Sequence, residues 1–219
     1  QNRAGGGSNG SWGGKFGSGN VYDAGGNVVR ASASGIDSVP AWGPYLTAYP
    51  ELFDNNGRTG YKAYPNNVKD LFNTGRLFEN SIGLNGGEGN TTFNVTMSNV
   101  NHLGYVENSS YIRNNISVGG QTKVKNLTLG ASIAYTKSKQ KGGFFGQVQS
   151  FTTQFGRTLI GGRSWNIPGF PSQDRAGRPL AFIAGQYTNP IWGAYHNTIT
   201  TLDDRIVANF RASYKFNNW

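Results

Sequence analysis

Strict alternation of apolar and small polar residues over strand-length stretches is the feature that most limits how this chain folds. The cleanest run lies at the end of the sequence, from Asp203 to Asn217. There Ile206, Ala208, Phe210, Ala212, Tyr214 and Phe216 take one parity, and Arg205, Val207, Asn209, Arg211, Ser213 and Lys215 take the other. Side chains alternate across a strand, so one face is greasy and the other carries two arginines and a lysine. Strands of soluble proteins are typically about five or six residues long. A strand that crosses a bilayer needs ~9–11 residues. This run is long enough, and its pattern matches a barrel strand with lipid outside and water or a plug inside.

Four more stretches repeat the pattern. In Arg76 to Asn85, Phe78, Asn80, Ile82 and Leu84 oppose Leu77, Glu79, Ser81 and Gly83. In Thr91 to Asn99, Phe93, Val95 and Met97 face away from Asn94, Thr96 and Ser98. In Tyr111 to Gly119, Ile112, Ile116 and Val118 oppose Arg113, Asn115 and Ser117. In Leu127 to Tyr135, Leu127, Leu129, Ala131, Ile133 and Tyr135 oppose Thr128, Gly130, Ser132 and Ala134. Each signal is weak alone, and their agreement carries the reading.

Composition agrees with that reading. Gly makes up 33 of 219 residues, about twice the usual share of about 7%. Small residues suit turns and a polar barrel interior. No stretch of 18 or more apolar residues exists, which leaves no transmembrane helix but leaves a barrel open. There are no cysteines, so disulfides, thiolate nucleophiles and cysteine-based metal sites are excluded. The net charge of +9 is scattered over polar parities and loops, with only Lys137, Lys139 and Lys141 clustered. That distribution does not point to nucleic acid.

Gap lengths give a direction. Gly86 to Asn90 and Gly120 to Asn126 are short, Val100 to Ser110 is longer, and the gap from about Thr136 to Leu202 is very long. Barrels of the outer membrane have short periplasmic turns and longer external loops. The expected fold is all-β: a segment of a large transmembrane antiparallel β-barrel with long extracellular loops. Its expected divisions are an extracellular loop region at 1–75, barrel strands with short periplasmic turns at 76–136, and a long extracellular loop at 137–202. A last strand and the start of a periplasmic turn follow at 203–219, with Trp219 near the periplasmic interface. The chain opens Gln1-Asn2-Arg3 and its five strands leave two unpaired edges. Unpaired edges are not viable in lipid, so the remainder of the same barrel is expected beside them.

The two long segments hold Trp12, Trp42, Tyr45, Tyr49, Tyr61, Tyr64, Trp165, Trp192 and Tyr195, together with eight prolines. Disordered linkers are poor in aromatics, so ordered loops are expected. Asn67 to Gly75 reads as a short helix with Asn67 as N-cap and Val68, Leu71 and Phe72 as its apolar stripe. A second short helix is expected within Phe144 to Leu159.

Ser11-Trp12-Gly13-Gly14-Lys15-Phe16, Tyr64-Pro65-Asn66-Asn67-Val68-Lys69-Asp70-Leu71-Phe72-Asn73-Thr74-Gly75, Asn80-Ser81-Ile82-Gly83-Leu84-Asn85-Gly86-Gly87 and Tyr111-Ile112-Arg113-Asn114 stand in this order. With Asn189-Pro190-Ile191-Trp192 and Asp204-Arg205, they resemble the SusC/RagA-type TonB-dependent outer-membrane transporters of Bacteroidota. The Pro-Asn-Asn…Phe-x-Thr-Gly run leading into a Gly-Gly hairpin is the most specific part. The resemblance implies a 22-stranded barrel, an N-terminal plug and a TonB-contacting segment, none of the last two being visible here. It also implies import of an oligomeric nutrient, glycan or peptide, as a surface receptor beneath a SusD-like lipoprotein lid. A barrel displaying its loops without transport is the alternative.

No catalytic residues, cofactor or metal are expected. His102 and His196 are far apart, and the neighbouring Asp203 and Asp204 point to opposite faces. The ligand-contact candidates are the loop aromatics Trp42, Tyr45, Trp165, Trp192 and Tyr195, since an exposed ring face stacks on a sugar or holds a peptide side chain. Packing of loop on loop is the competing use. Arg113, Arg205, Arg211 and Lys215 fall on the polar parity and are expected to face the lumen, where they hold the plug through its carboxylates. The tip of the long loop, Gly161 to Gly177, is expected to serve lid association or ligand capture and to be dispensable for the barrel.

Overall fold

The computed structural model describes residues 20–22, 28–30, 38–143, 154–159, 161–182 and 189–216. Trp12, Trp219 and the Ser11–Phe16 segment lie outside them, as does the 144–153 part of the second expected helix. The chain forms two compact units. One comprises Gln1–Asn73, Val106–Asn108 and Gly143–Thr198, and the other Thr74–Tyr105, Ser109–Gly142 and Ile199–Trp219.

The first unit holds the strand pairs β1 (Asn20–Tyr22) with β2 (Val28–Arg30) and β3 (Ser38–Pro40) with β4 (Arg58–Gly60), all antiparallel. Helix α1 (Gly43–Ala48) carries a proline in its first turn and ends at Tyr49, whose backbone N–H donates to the Tyr45 carbonyl. Helices α2 (Gln154–Leu159) and α3 (Pro190–His196) pack together. The core is aromatic. Trp165 stacks on Phe182 with centroids 4.9 Å apart, and Phe182 meets Trp42 at 4.7 Å and Tyr45 at 4.8 Å. Leu71, Ile167 and Leu180 complete the buried cluster. Gly162 is required beneath it, because a Cβ there would stand 2.8 Å from the Trp165 indole.

The helix expected at Asn67 to Gly75 is a single 3₁₀ turn at Lys69–Leu71. Asn67 does not cap it. Its buried side chain donates to the Gly162 carbonyl at 3.1 Å and accepts from the Ile167 N–H at 3.2 Å. A buried amide bridging two backbone groups of a distant segment outweighs a local cap. The second expected helix is present as α2 within the described residues.

Two turns share the pattern Asp-x-x-Gly-Arg. Asp54 Oδ1 accepts the N–H groups of Asn56 and Arg58, and Asp174 Oδ1 accepts those of Ala176 and Arg178. Gly57 and Gly177 supply the left-handed positions, at φ 66° and 82°. The Arg178 backbone N–H holds the Asp174 carboxyl below the usual aspartate range, and the Arg178 guanidinium adds to this at 2.7 Å. A depressed carboxylate pKa stabilises above the unfolded value of about 3.9 and loses that contribution as pH falls through the folded value. Carboxyl NMR is expected to show Asp174 still ionised at pH 3.9, and Asp174→Asn to remove that acid-dependent step in opening of the 174–178 turn.

The second unit is one five-stranded antiparallel sheet in sequence order: β5 (Arg76–Glu88), β6 (Thr91–Leu103), β7 (Ser110–Val124), β8 (Leu127–Gly143) and β9 (Thr198–Tyr214). All five expected strands are present, and all run longer than the alternating windows. Gly86 and Gly87 lie inside β5, and the turn is only Gly89-Asn90. Likewise Lys125-Asn126 alone joins β7 to β8. β9 starts at Thr198, well before Asp203. The strands span 13 to 17 residues, or roughly 45–55 Å at ~3.3 Å per residue.

The two-residue turns lie at one end of the sheet. Residues 104–109 and 144–197 leave from the other, so the short–long–short–very long order holds with tighter bounds. Both turns are tied to a further strand. The Asn90 carbonyl accepts the Lys123 N–H at 3.0 Å, and that of Asn126 accepts the Lys215 N–H at 2.8 Å.

Candidate functional site

Register decides which side chains share a face. Gly89-Asn90 sets Leu84 opposite Val95 and Ile82 opposite Met97. Carried across β7 and β8, those rows continue through Val118 to Ile133 and through Ile116 to Tyr135. Tyr135 donates to Asp204 and Lys137 stands 3.9 Å from it, which puts Asp204, and by alternation Ile206, Phe210 and Tyr214, on the same face. One face therefore carries an apolar belt three rows deep across β5 to β8. Phe93 crosses it between Gly86 and Gly120, its cross-strand partners, and a Cβ at Gly86 would lie 2.6 Å from its ring.

On the central strands β6, β7 and β8 the apolar face is the more exposed one, the reverse of a soluble sheet, while the outer strands β5 and β9 are exposed on both faces. Phe210 is 75% exposed, Ile82 69%, Ile206 67% and Leu84 61%. On β8 the apolar-face Ile133 and Tyr135 are exposed, whereas Ala134, Thr136 and Ser138 on the polar face are half-buried. Polar-face side chains also bond one another, with Asn115 Nδ2 donating to Thr136 Oγ1 at 2.7 Å.

The four expected lumen residues keep to one side. Arg113 pairs in register with Val100 and Ser138 on the polar face. Arg211 lines a depression of about 390 Å³ there with Asn94, Gln121, Ser132 and Asn209. Arg205, within β9, and Lys215, immediately after it, share the parity of Arg211. Whether a plug carboxylate meets them is a separate matter of function.

The five aromatic candidates separate. Tyr45 and Trp165 are fully buried, so neither has a ring face to offer a ligand; they hold the core of the first unit. Burial and the neighbouring Asn189 amide set the Tyr45 hydroxyl, with burial dominating and raising its pKa. Trp42 is half-buried against Tyr45, Phe170 and Phe182. Trp192 and Tyr195 sit on α3. The Trp192 indole N–H donates to the Gly177 carbonyl at 3.2 Å and its ring stacks on His196 at 4.3 Å. Tyr195 is 52% exposed, and its hydroxyl donates to Glu107, which raises its pKa. Of the five, Trp192 and Tyr195 retain accessible surface together on one short element.

The helix that presents them has a legible start. Asn189 accepts from the Ile191 N–H at 2.9 Å and Pro190 takes the first helical position. A polar row on the apolar face is harder to see in sequence. Asn80, Asn99, Asn114 and Lys137 stand in one cross-strand line, and Asn99 Nδ2 donates to Asn114 Oδ1 at 2.7 Å. It appears only once the Gly89-Asn90 turn fixes the register.

Among the described residues no group of three or more His, Asp or Glu side chains is placed to hold a metal. No helix among them is long and apolar enough to cross a membrane, which says nothing of strands. Neither the known family models nor the curated proteins contain a match to this chain.

Proposed function

We propose that this chain is part of a TonB-dependent outer-membrane importer of oligomeric nutrients, glycan or peptide, working with a SusD-like lipoprotein lid. The observation that carries the reading is the inverted exposure of the central strands β6, β7 and β8: large apolar side chains project outward while small polar ones crowd the other face. Lipid is the solvent in which that arrangement is favourable. The strand lengths exceed the ~9–11 residues needed to cross. The open edges of β5 and β9 call for further strands of the same barrel. The polar face, with Arg113, Arg205, Arg211 and Lys215, then lines a lumen, where a plug bearing carboxylates meets these cations. The resemblance to SusC/RagA-type transporters supplies import, TonB and the lid.

On this reading no residue here performs catalysis and no cofactor is required. In the first unit the half-buried Trp192 and the exposed Tyr195 are the favoured contacts for ligand or lid. The Gly161 to Gly177 segment carries Trp165, Ile167 and Phe170 of the first unit's core, so its deletion is expected to disturb that unit as well as lid association or ligand capture, with the barrel still assembled. The test uses the full-length transporter with the lid protein encoded beside it. Uptake of labelled oligosaccharides and oligopeptides is compared with and without TonB, and lid co-purification is measured with Trp192→Ala/Tyr195→Ala. No uptake with or without TonB, and no lid bound, sinks the importer and leaves the display alternative.

A further inference from the structure

The lysines singled out in the sequence all fall on the apolar face. Lys137, Lys139 and Lys141 occupy alternate positions of β8 and pair with Asn114, Ile112 and Ser110. Arg76 stands on the same face in the row of Lys141, three strands further along. These cations begin where the apolar belt ends, at the end of the sheet away from the two-residue turns. Lys137 and Lys139 are exposed. Asp204, 3.9 Å from Lys137, is the nearby acid, and it also accepts from Tyr135.

Beside them the same face has a depression of about 540 Å³. One wall is Asn80, Asn99 and Asn114, and the floor is Ile82, Met97 and Ile116. Ammonium groups, amide donors and apolar side chains thus follow one another across three adjacent rows of the sheet. That sequence of chemistries matches one molecule end to end: phosphate oxygens, a polar backbone and an acyl chain.

We propose that this patch is a binding site for a phosphorylated lipid of the outer leaflet, its phosphate held by Lys137 and Lys139 and its first acyl carbons lying on Ile82, Met97 and Ile116. Charge complementarity selects the occupant. Lysine acts on phosphate as a flexible point charge, and a cation at the polar–apolar boundary meets a lipid phosphate at its natural depth. The inference rests on the barrel reading, which puts this face in lipid.

The experiment uses the full-length transporter in detergent and native mass spectrometry. The probe is dioleoyl phosphatidic acid, a phosphomonoester lipid, against dioleoyl phosphatidylcholine, with inorganic phosphate as competitor. Heat-modifiable migration on gels reports the barrel in every sample. One phosphatidic acid adduct is expected on the native protein and on Lys123→Gln, a polar-face control. Lys137→Gln/Lys139→Gln is expected to weaken it about tenfold, at roughly fivefold for each near-surface lysine less the share already paired with Asp204. Should the double variant not assemble, Lys139→Gln alone is expected to weaken it about fivefold. Equal binding by native and lysine variants overturns the site. Displacement by inorganic phosphate reassigns it to a free anion and overturns the lipid. A native protein without heat-modifiable migration overturns the barrel, and the lipid site with it; a heat-modifiable barrel without lysine-dependent binding overturns the lipid site alone.

Discussion

On the proposed barrel reading, Phe210→Arg is expected to destabilise the assembled protein by about 2–4 kcal/mol, the cost of a cation near a bilayer midplane. Phe210 is the most exposed apolar side chain within β9 and lies midway between Asp204 and Lys215. Asn209→Arg, one residue away, is the matched control. Asn209 lines the polar-face depression beside Arg211, so its arginine points to the other side of the sheet. A loss of that size lowers the folding equilibrium constant by a factor of about 30 to 900, which shifts the urea midpoint. The measurement is the folded, heat-modifiable fraction over a urea series in lipid. Equal destabilisation by the two arginines means that both faces meet the same medium, which the barrel reading forbids.

Trp165→Ala is expected to cost about 3–5 kcal/mol, as for large aromatic truncations in packed cores. Trp165 is fully buried and stacks on Phe182 with its ring planes 6° apart. The loss falls on the unit built from α1, α2 and α3. Limited proteolysis is expected to open its segments while the sheet, a separate compact unit, keeps its strand pairing. Tyr195→Ala, at an exposed position, is expected to stay within about 0.5 kcal/mol of native. Protease resistance unchanged by Trp165→Ala removes this residue from the core.

These variants also mark where sequence is readable. Phe210 and Asn209 are assigned to opposite faces by alternation alone, because a strand's period of two survives any error in its ends. The ends were less legible. Gly86 and Gly87 read as a turn, yet they sit in β5, where the Phe93 ring takes the space a side chain would need. Trp165 carries no such signal. Irregular segments have no period, so nothing local separates an aromatic buried against a partner such as Phe182, well along the chain, from one open to a ligand. Asn67 misled for the same reason: its cap signature is local, and its bonds to Gly162 and Ile167 are not. Asn189-Pro190, in contrast, is a local helix start that the residues themselves display.

The neighbour-to-neighbour strand order has a kinetic consequence. Each strand of the sheet pairs only with the one before and after it in the chain, so the hairpins β5–β6 and β7–β8 are able to zip as soon as they emerge. Hairpins of this kind close in about 1–10 μs. Only β9 waits, for the passage of residues 144–197. The wait costs little at equilibrium, since each doubling of a loop adds only about 0.6 kcal/mol of closure entropy. It costs time instead, leaving the free edge of β8 as the last one to be covered and the point at which a chaperone or a neighbouring hairpin has the longest opportunity to intervene.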